Sequence, residues 1–246
     1  LRKKRCWTEK IHIVCPSNWM ANCARSSELM HDWPISVVPY PIDTSFWRPL
    51  PARLARQVMG LDPQKIIITF GATGGLADAR KGGDLFVHAI QTVLAKCSEE
   101  LSQRLEFLVF GEVDPHSLLL NHPSISVFGQ LSDDYSLRAI YSASDLFILP
   151  SRQDNLPLTG LEAHACGTPV IGFHVGGLVD IINHHQTGAL ARPFDPDSLA
   201  AEILWCINDI ERLTIMGINA RHKAETLWNP LSIVESYSEI YHSLKS

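Results

Sequence analysis

The chain has 246 residues, of which 46% are hydrophobic and 19% charged, and its formal net charge is −5. This length accommodates one large domain or one and a half, and the hydrophobic content supplies a core, so global disorder is excluded. The mild negative charge excludes a broad nucleic-acid-binding surface. The six cysteines stand at irregular spacings without a CxxC pair. This pattern indicates free buried thiols in a reducing compartment and predicts a cytoplasmic protein.

Short apolar, β-branched runs alternate along the chain with longer segments of helical period, which is typical of a parallel sheet built from βαβ units. A helix is predicted after Lys81, where apolar residues recur about every four positions. Further helices are predicted over residues 135–141, 158–166, 199–207 and 233–244. The predicted strands are residues 11–15, 35–38, 66–70, 106–110, 125–127, 146–149, 169–172 and 188–191.

A proline-rich segment interrupts this alternation at residues 39–51, where four of thirteen residues are proline. Proline fixes φ and removes a backbone donor, so we predict an extended connection between domains. Residues 1–38 hold too few elements for a core of their own, and we expect them to be the tail of a larger upstream domain. Residues 52–228 are predicted to form a self-sufficient α/β domain, and residues 229–246 a C-terminal helix.

A glycine-rich loop at residues 70–83 follows a predicted strand and leads into a helix. Glycines let backbone N–H groups approach a phosphate, and Arg80 and Lys81 add positive charge. The spacing fits neither a Rossmann G-x-G-x-x-G nor a P-loop, because no Ser or Thr follows a Gly-Lys pair. On these residues alone, a phosphate-binding loop and an ordinary exposed loop both stay open.

A second candidate site lies at residues 150–170, where a polar loop connects a strand to a helix that begins near Pro157 and ends before Gly167. Asp154 then lies at the start of this helix and Glu162 about two turns inside. Two interpretations are open. Either Asp154 accepts hydrogen bonds from sugar hydroxyls and Glu162 from a ribose diol, or Asp154 caps the helix and Glu162 is a buried, paired acid.

A third turn contains Gly176 and Gly177, again between a strand and a helix. The carboxyl ends of neighbouring parallel strands form one crevice where the strand order reverses. The three turns are therefore predicted to line a single nucleotide site.

Residues 151–170, with two acids separated by seven residues and the run Gly167-Thr168-Pro169-Val170, resemble the nucleotide-sugar signature of family 4 retaining glycosyltransferases of the GT-B fold. Further matches lie at residues 38–46, 80–85, 128–131, 140–145, 176–177, 187–190 and 193–195. The resemblance implies the donor-binding half of such an enzyme, a Rossmann-like doubly wound parallel sheet with a remnant of a second Rossmann-like domain. It also implies that the C-terminal helix crosses back toward that remnant.

The resemblance implies a role for each matching residue. Lys81 corresponds to the lysine that contacts the donor diphosphate, Glu162 to the acid on the ribose hydroxyls, and Asp154 to the acid on the donor sugar. Arg80 is a candidate to replace the arginine that the family carries after Gly71. Glutamate is usual at the position of Asp154, which is one methylene shorter. The other expected donor-binding residues are Gly71, Gln130, Leu131, Asn155, Leu156, Pro157, Gly176 and Gly177.

The reaction that the resemblance implies is transfer of a sugar from a UDP-sugar or GDP-sugar to an acceptor hydroxyl, with retention at the anomeric carbon. The expected acceptor is a glycan, a lipid-linked sugar or a small molecule, in polysaccharide or glycoconjugate biosynthesis. The implied arrangement needs no cofactor or metal. Asp195 and Asp197 spell a D-x-D motif but precede a helix, where acids favour the N-terminus, and Asp133 is predicted to start a helix in the same way.

Two further expectations concern the whole protein. The chain by itself is expected to be inactive, and the upstream domain is expected to make peripheral contact with the inner face of the membrane. The alternative function is a nucleotide-sugar-binding module that does not catalyse transfer, which the residues Ala72 and Asp154 suggest because both depart from the family pattern.

Overall fold

A computed structural model of the protein describes Lys3, Cys6, Trp7 and residues 9–71, 78–112, 124–131 and 133–244. Most of the predicted glycine-rich loop, residues 72–77, lies outside the described residues. Ala72, the position at which the family carries an arginine, is among them.

All eight predicted strands are confirmed, with ends that shift by at most two residues. They are β1 Ile13–Cys15, β2 Ile35–Val37, β3 Ile66–Gly71, β4 Leu105–Phe110, β5 Ile125–Gly129, β6 Leu146–Leu149, β7 Val170–Phe173 and β8 Gly188–Ala191. Within the described residues, β1 and β2 form a separate parallel pair, and the other six strands form one parallel sheet in the order β5-β4-β3-β6-β7-β8. The strand order reverses between β3 and β6, which is where an open α/β sheet offers a crevice to ligands.

Helices cover both faces of the six-stranded sheet. A short 3₁₀ turn, Ala79–Lys81, follows β3. The helices are α1 Asn18–Arg25, α2 Ala52–Val58, α3 Gly83–Lys96, α4 Glu99–Arg104, α5 Asp134–Ala143, α6 Leu158–Ala165, α7 Leu178–Ile181, α8 Pro196–Ile207, α9 Ile210–Leu227 and α10 Pro230–Ser243.

The core consists of two buried clusters, one on each face of the sheet. Side chains alternate across the strands, so Ile67 and Leu108 face the cluster that includes α5 and α6. Ile68 and Phe107 face the opposite cluster, which includes α3 and α8. The predicted doubly wound sheet is therefore confirmed.

The longest helix, α9, is missing from the sequence predictions. Its buried stripe includes the small residues Gly217, Ala220 and Ala224, which contribute little hydropathy. Its outer face carries Ile215 and Ile218, which are exposed. Because most of the buried residues are small and large apolar residues also lie on the outside, the apolar pattern of this helix does not have a clear helical period.

The two predicted acidic helix caps are confirmed. Asp133 accepts a hydrogen bond from Ser136 N at 2.9 Å at the start of α5. Asp195 accepts one from Ser198 N at 3.0 Å at the start of α8. The D-x-D sequence therefore belongs to a helix start, and Asp195 also pairs with Arg192 at 2.8 Å.

Residues 39–51 run without regular secondary structure, as their prolines predict, and connect β2 to α2. Ile42 N in this segment donates to the Trp228 carbonyl at 2.7 Å, which ties the connection to the end of α9. In α10, Ile233 is buried, whereas Val234 and Tyr241 are exposed. The crossing of α10 toward the β1–β2 unit stays a prediction. Among the described residues, no helix is both long and apolar enough to cross a membrane.

Candidate functional site

The three predicted turns lie against one another at the carboxyl ends of β3, β6 and β7. Gly82 and Gly176 have positive φ angles of 70° and 55°, which glycine adopts at low cost. A Cβ atom on Gly82 would lie 2.0 Å from the Pro150 carbonyl oxygen, and one on Gly176 would lie 2.3 Å from the Asp154 carbonyl oxygen. Gly177 N also donates to the Asp154 carbonyl at 2.9 Å. Glycine is therefore required because the backbones of these turns touch.

Lys81 and Asp154 meet in the crevice that these turns form. Lys81 Nζ donates to Asp154 Oδ2 at 2.6 Å, and the two side chains are 22% and 16% exposed. The other oxygen of Asp154 accepts from Asn155 N at 3.0 Å. Helix α6 begins after Pro157 without a side-chain cap, so the capping interpretation of Asp154 is wrong.

A small cavity of about 60 Å³ lies beside Lys81, with Gly71, Ser151 and Thr159 in its wall. The Ser151 hydroxyl is fully buried and has no hydrogen-bond partner within the described residues. A buried hydroxyl without a partner costs about 1–3 kcal/mol. Ser151 therefore offers a donor and an acceptor to a polar ligand at this point. Ser151 is not predicted from the sequence, because a serine after a buried strand has no distinctive pattern.

Glu162 lies on α6 and forms a hydrogen bond with a tyrosine on α5. Tyr141 Oη donates to Glu162 Oε2 at 3.1 Å, and the tyrosine ring is fully buried. Burial raises the pKa of Glu162 from 4.5 to about 7, although the Tyr141 hydrogen bond lowers it in part. Glu162 is thus a paired acid, as one interpretation predicted, but it is half-buried rather than fully buried.

The residues predicted to lie beside the base follow β5. Gly129 has a φ of 65° and turns the chain, Gln130 is exposed, and Leu131 is half-buried. Leu131 packs against the buried cluster that contains Tyr141. The predicted base region and the Glu162–Tyr141 pair therefore share one side of the sheet.

Arg80 lies at the surface and does not take part in the Lys81–Asp154 pair. Its side chain is 67% exposed, and its guanidinium pairs with Asp78 at 2.9 Å. Its proposed replacement of the family's arginine stays a prediction.

The β1–β2 unit contacts the site loops through the start of α1. Ser17 Oγ donates to Asn155 Oδ1 at 2.6 Å. Asn18 donates through its backbone N and its Nδ2 to the carboxylate of Asp180, at 3.1 and 2.6 Å. Leu156 and Pro157, between these contacts and α6, are buried. These cross-contacts were not predicted, because they join residues far apart in the chain.

One group of potential metal ligands lies elsewhere, before β8 and on α8. Among the described residues, His184, His185 and Glu202 bring ligand atoms within 4.8 Å of one another. His184 Nδ1 already accepts from Leu190 N at 3.0 Å, and His185 Nε2 lies 2.9 Å from Glu202 Oε2. The two imidazole rings stack 3.6 Å apart, so their lone pairs do not converge on one point. This group does not favour a metal centre, and it has no contact with the Lys81–Asp154 pair.

The chain also matches a known protein family and known proteins. A family model described as "Glycosyl transferases group 1" matches residues 67–209. A D-inositol 3-phosphate glycosyltransferase of Segniliparus rotundus is 30% identical over 193 residues, which are 74% of this chain and 41% of that protein.

Two solved structures show the same fold. Sucrose-phosphate synthase from Thermosynechococcus elongatus matches with a TM-score of 0.80 at 23% identity, over 98% of this chain and 60% of that one. Anabaena Alr3699/HepE, solved in complex with UDP and glucose, matches with a TM-score of 0.74 at 19% identity, over 94% of this chain and 62% of that one. The predicted α/β fold of a GT-B glycosyltransferase is confirmed. The chain spans less than two thirds of the length of each of these proteins.

Proposed function

The chain belongs to the group 1 glycosyltransferases, and we propose that it binds a nucleoside diphosphate sugar in the crevice at the carboxyl ends of β3, β6 and β7 and transfers the sugar to an acceptor hydroxyl. The observation that carries this proposal is the contact between Lys81 Nζ and Asp154 Oδ2 at 2.6 Å, which brings a cation and a hydrogen-bond acceptor together where the strand order reverses. The homologues support a transferase. The donor, the stereochemistry and the acceptor are parts of the proposal.

Lys81 has the chemistry to stabilise the leaving diphosphate. Cleavage of the bond between sugar and phosphate develops negative charge on the phosphate oxygens, and a positioned ammonium group lowers the energy of that charge. Within the described residues, Asp154 is the one hydrogen-bond partner of Lys81 Nζ. The ammonium group carries three N–H donors, so it can bind a phosphate oxygen while it keeps or exchanges that partner.

Asp154 and Glu162 are the proposed acceptors for hydroxyl groups. Asp154 borders the crevice and is positioned to accept from the donor sugar. Glu162, with its pKa of about 7, accepts from the ribose diol in its ionised form, so binding through this acid is expected to strengthen as the pH rises through 7. The Ser151 hydroxyl, buried beside Lys81, is a further polar group for the donor.

The finer parts of the proposal follow the family resemblance. We propose membership of family 4, retention at the anomeric carbon, and transfer without a metal ion. A UDP-sugar is favoured as donor by the structural neighbour that was solved with UDP and glucose. The relatives named D-inositol 3-phosphate glycosyltransferase favour a small polar acceptor. A role in polysaccharide or glycoconjugate biosynthesis, the cytoplasmic location and the peripheral membrane contact stay predictions.

The second candidate function is a nucleotide-sugar-binding module without transfer. The shorter acid at Asp154 favours it, because its carboxylate is already occupied by Lys81 Nζ and by Asn155 N. In this case donor binding is expected to be normal while transfer is absent.

A thermal-shift panel of UDP, GDP and ADP, each with its common sugars, tests the proposal on the 246-residue chain. At least one nucleoside diphosphate is expected to raise the Tm, and the Lys81→Ala variant is expected to lose this shift. Lys96→Ala is the matched control, since Lys96 is exposed at the far end of α3. An unchanged Tm across the whole panel would contradict a donor site.

Transfer is tested in the chain joined to the domain that we expect upstream. Release of nucleoside diphosphate that depends on an acceptor supports the enzyme. Normal donor binding without transfer or donor hydrolysis supports the binding module.

A further inference from the structure

Arg152 joins two of the three turns that build the site. It follows β6 and lies two residues before Asp154, and its backbone N donates to the Arg80 carbonyl at 2.8 Å. Its Nη1 donates to the Ala79 carbonyl, also at 2.8 Å. Both accepting carbonyls belong to the 3₁₀ turn that carries Lys81. One arginine therefore binds this turn through its main chain and its side chain.

The same guanidinium also binds the start of α3. Arg152 Nη1 and Nη2 donate to the two oxygens of Asp84 at 2.8 and 2.6 Å, a bidentate contact. Ala79 and Asp84 stand on either side of Lys81 in the chain. The planar, forked guanidinium thus holds both flanks of the residue that the proposed function places on the donor diphosphate.

The turn itself has little internal support. It is three residues long, and Asp78 caps it through Arg80 N at 2.9 Å. Gly82 ends it with a left-handed φ and packs directly on the Pro150 carbonyl. Within the described part of the chain, contacts with residues 150–152 hold this turn, and Arg152 contributes its side chain to them.

The charge of Arg152 is already compensated. The pair with Asp84 raises the pKa of Arg152 and lowers the pKa of Asp84. The side chains are 37% and 65% exposed, so this pair adds little to global stability. A contact that adds little stability but fixes a binding lysine is expected to act on affinity.

We propose that Arg152 is a positioning residue of the donor site, which with Asp84 holds the 3₁₀ turn so that Lys81 Nζ reaches the donor diphosphate. This inference rests on the proposed function. Arg152 itself does not touch the donor. The competing arrangement, in which Arg152 binds a phosphate directly, makes a different prediction for Asp84.

The experiment measures affinity by calorimetry for UDP against uridine and for GDP against guanosine, in the 246-residue chain. Arg152→Ala, Arg152→Lys and Asp84→Asn are each expected to weaken binding of the diphosphate about tenfold and to leave binding of the nucleoside unchanged. Arg192→Ala is the matched control, because Arg192 is an exposed arginine that also pairs with an aspartate. Urea unfolding checks that each variant is folded, and Arg152→Lys and Asp84→Asn keep the test valid if Arg152→Ala does not fold.

Asp84→Asn separates positioning from direct contact. The substitution releases the guanidinium, so a direct phosphate contact predicts equal or tighter binding of UDP, and positioning predicts weaker binding. The double variant Lys81→Ala/Arg152→Ala is expected to bind UDP no more weakly than Lys81→Ala alone, because Arg152 acts through Lys81. A loss that adds to that of Lys81→Ala would overturn the proposal.

Two other outcomes are also decisive. If the wild-type chain binds UDP or GDP and Arg152→Ala binds it equally well, the positioning role is wrong and the proposed function stands. If the wild-type chain binds none of the probes, the proposed function itself is contradicted.

Discussion

Two ion pairs of nearly equal length lie at opposite edges of the sheet. Arg56 and Asp145 are 2.7 Å apart at the amino edge, and Lys81 and Asp154 are 2.6 Å apart at the carboxyl edge. Arg56 also donates to three backbone carbonyls, those of Ala143, Pro63 and Lys65. Asp145 accepts in addition from Ile67 N at 2.7 Å.

The difference between the pairs lies in how many of their polar atoms are already bonded. The guanidinium of Arg56 is buried and almost fully hydrogen-bonded, so this pair joins α2 to the start of β3 and β6. Within the described residues, Lys81 Nζ has one partner, and the buried Ser151 hydroxyl beside it has none. Satisfied polar groups indicate a structural pair, whereas spare donors indicate a pair that can accept a ligand.

Cavity size alone would select the amino edge. The larger cavity, about 650 Å³, lies at the amino edge between residues 49–52, the end of α6 and α9. The cavity beside Lys81 measures about 60 Å³. The carboxyl edge is distinguished by polar groups with free hydrogen-bonding positions, those of Lys81 and Ser151 within the described residues, and not by the volume of its cavity.

The largest expected effect concerns the structural pair. Arg56→Ala leaves Asp145 and three carbonyls without their partner and is expected to lower the free energy of unfolding by about 3 kcal/mol or more. Urea unfolding measures this loss, with the exposed Arg192→Ala as control. A loss under about 1 kcal/mol would mean that the amino-edge pair is not structural.

The binding pair is expected to behave in the opposite way. Lys81→Ala should change the free energy of unfolding by only about 1 kcal/mol but weaken binding of UDP or GDP about a hundredfold, because it removes a charge-assisted hydrogen bond to the diphosphate. On the same variant, calorimetry measures the change in affinity and urea unfolding measures the change in the free energy of unfolding. Large destabilisation with unchanged binding would make the two pairs equivalent and refute the comparison.

Glu162 provides a test through pH. Its pKa in the folded chain, about 7, lies above its ordinary value of 4.5, so the folded chain binds more protons between these values. Protonated Glu162 therefore stabilises the folded chain at low pH. This contribution to the free energy of unfolding is lost as the pH rises from about 4.5 to 7. Urea unfolding of Glu162→Gln should show a shallower decline over this range than wild type. Parallel pH profiles of the two proteins would show that the pKa of Glu162 is not raised in the folded chain.

The smallest expected effect is that of Tyr141→Phe. It removes one hydrogen bond to Glu162 and is expected to cost about 1 kcal/mol of stability. Because that hydrogen bond lowers the pKa of Glu162, its loss should extend the pH-dependent decline to higher pH, while the start of the decline stays near pH 4.5. Urea unfolding at several pH values measures both effects, and an unmoved decline would exclude Tyr141 as the partner of Glu162.

Much of the fold was predictable because its signals are local. The strands follow from short apolar runs, and the caps at Asp133 and Asp195 follow from acids just before helices. Helix α9 was missed because three of its five buried residues are small, such as Gly217 against the Gly167 carbonyl, and they give a weak apolar stripe.

The candidate site was predictable only as a set of turns. The positions of Lys81, Asp154 and Glu162 came from loop chemistry and from a family resemblance. Tyr141, which bonds Glu162, and Arg152, which bonds the turn that carries Lys81, were not predicted, because they form contacts across elements and no local pattern marks them.

By itself, the sequence determined the alternation of strands and helices, the glycine turns and the family, since these depend on residue types at short spacing. Only the tertiary structure decided that Lys81 meets Asp154, 73 positions later in the chain, and that Tyr141 bonds Glu162. It also decided that the Ser151 hydroxyl is buried without a partner in the described part of the chain. The physical reason is that hydrogen bonding and desolvation depend on which distant segments the sheet order brings together.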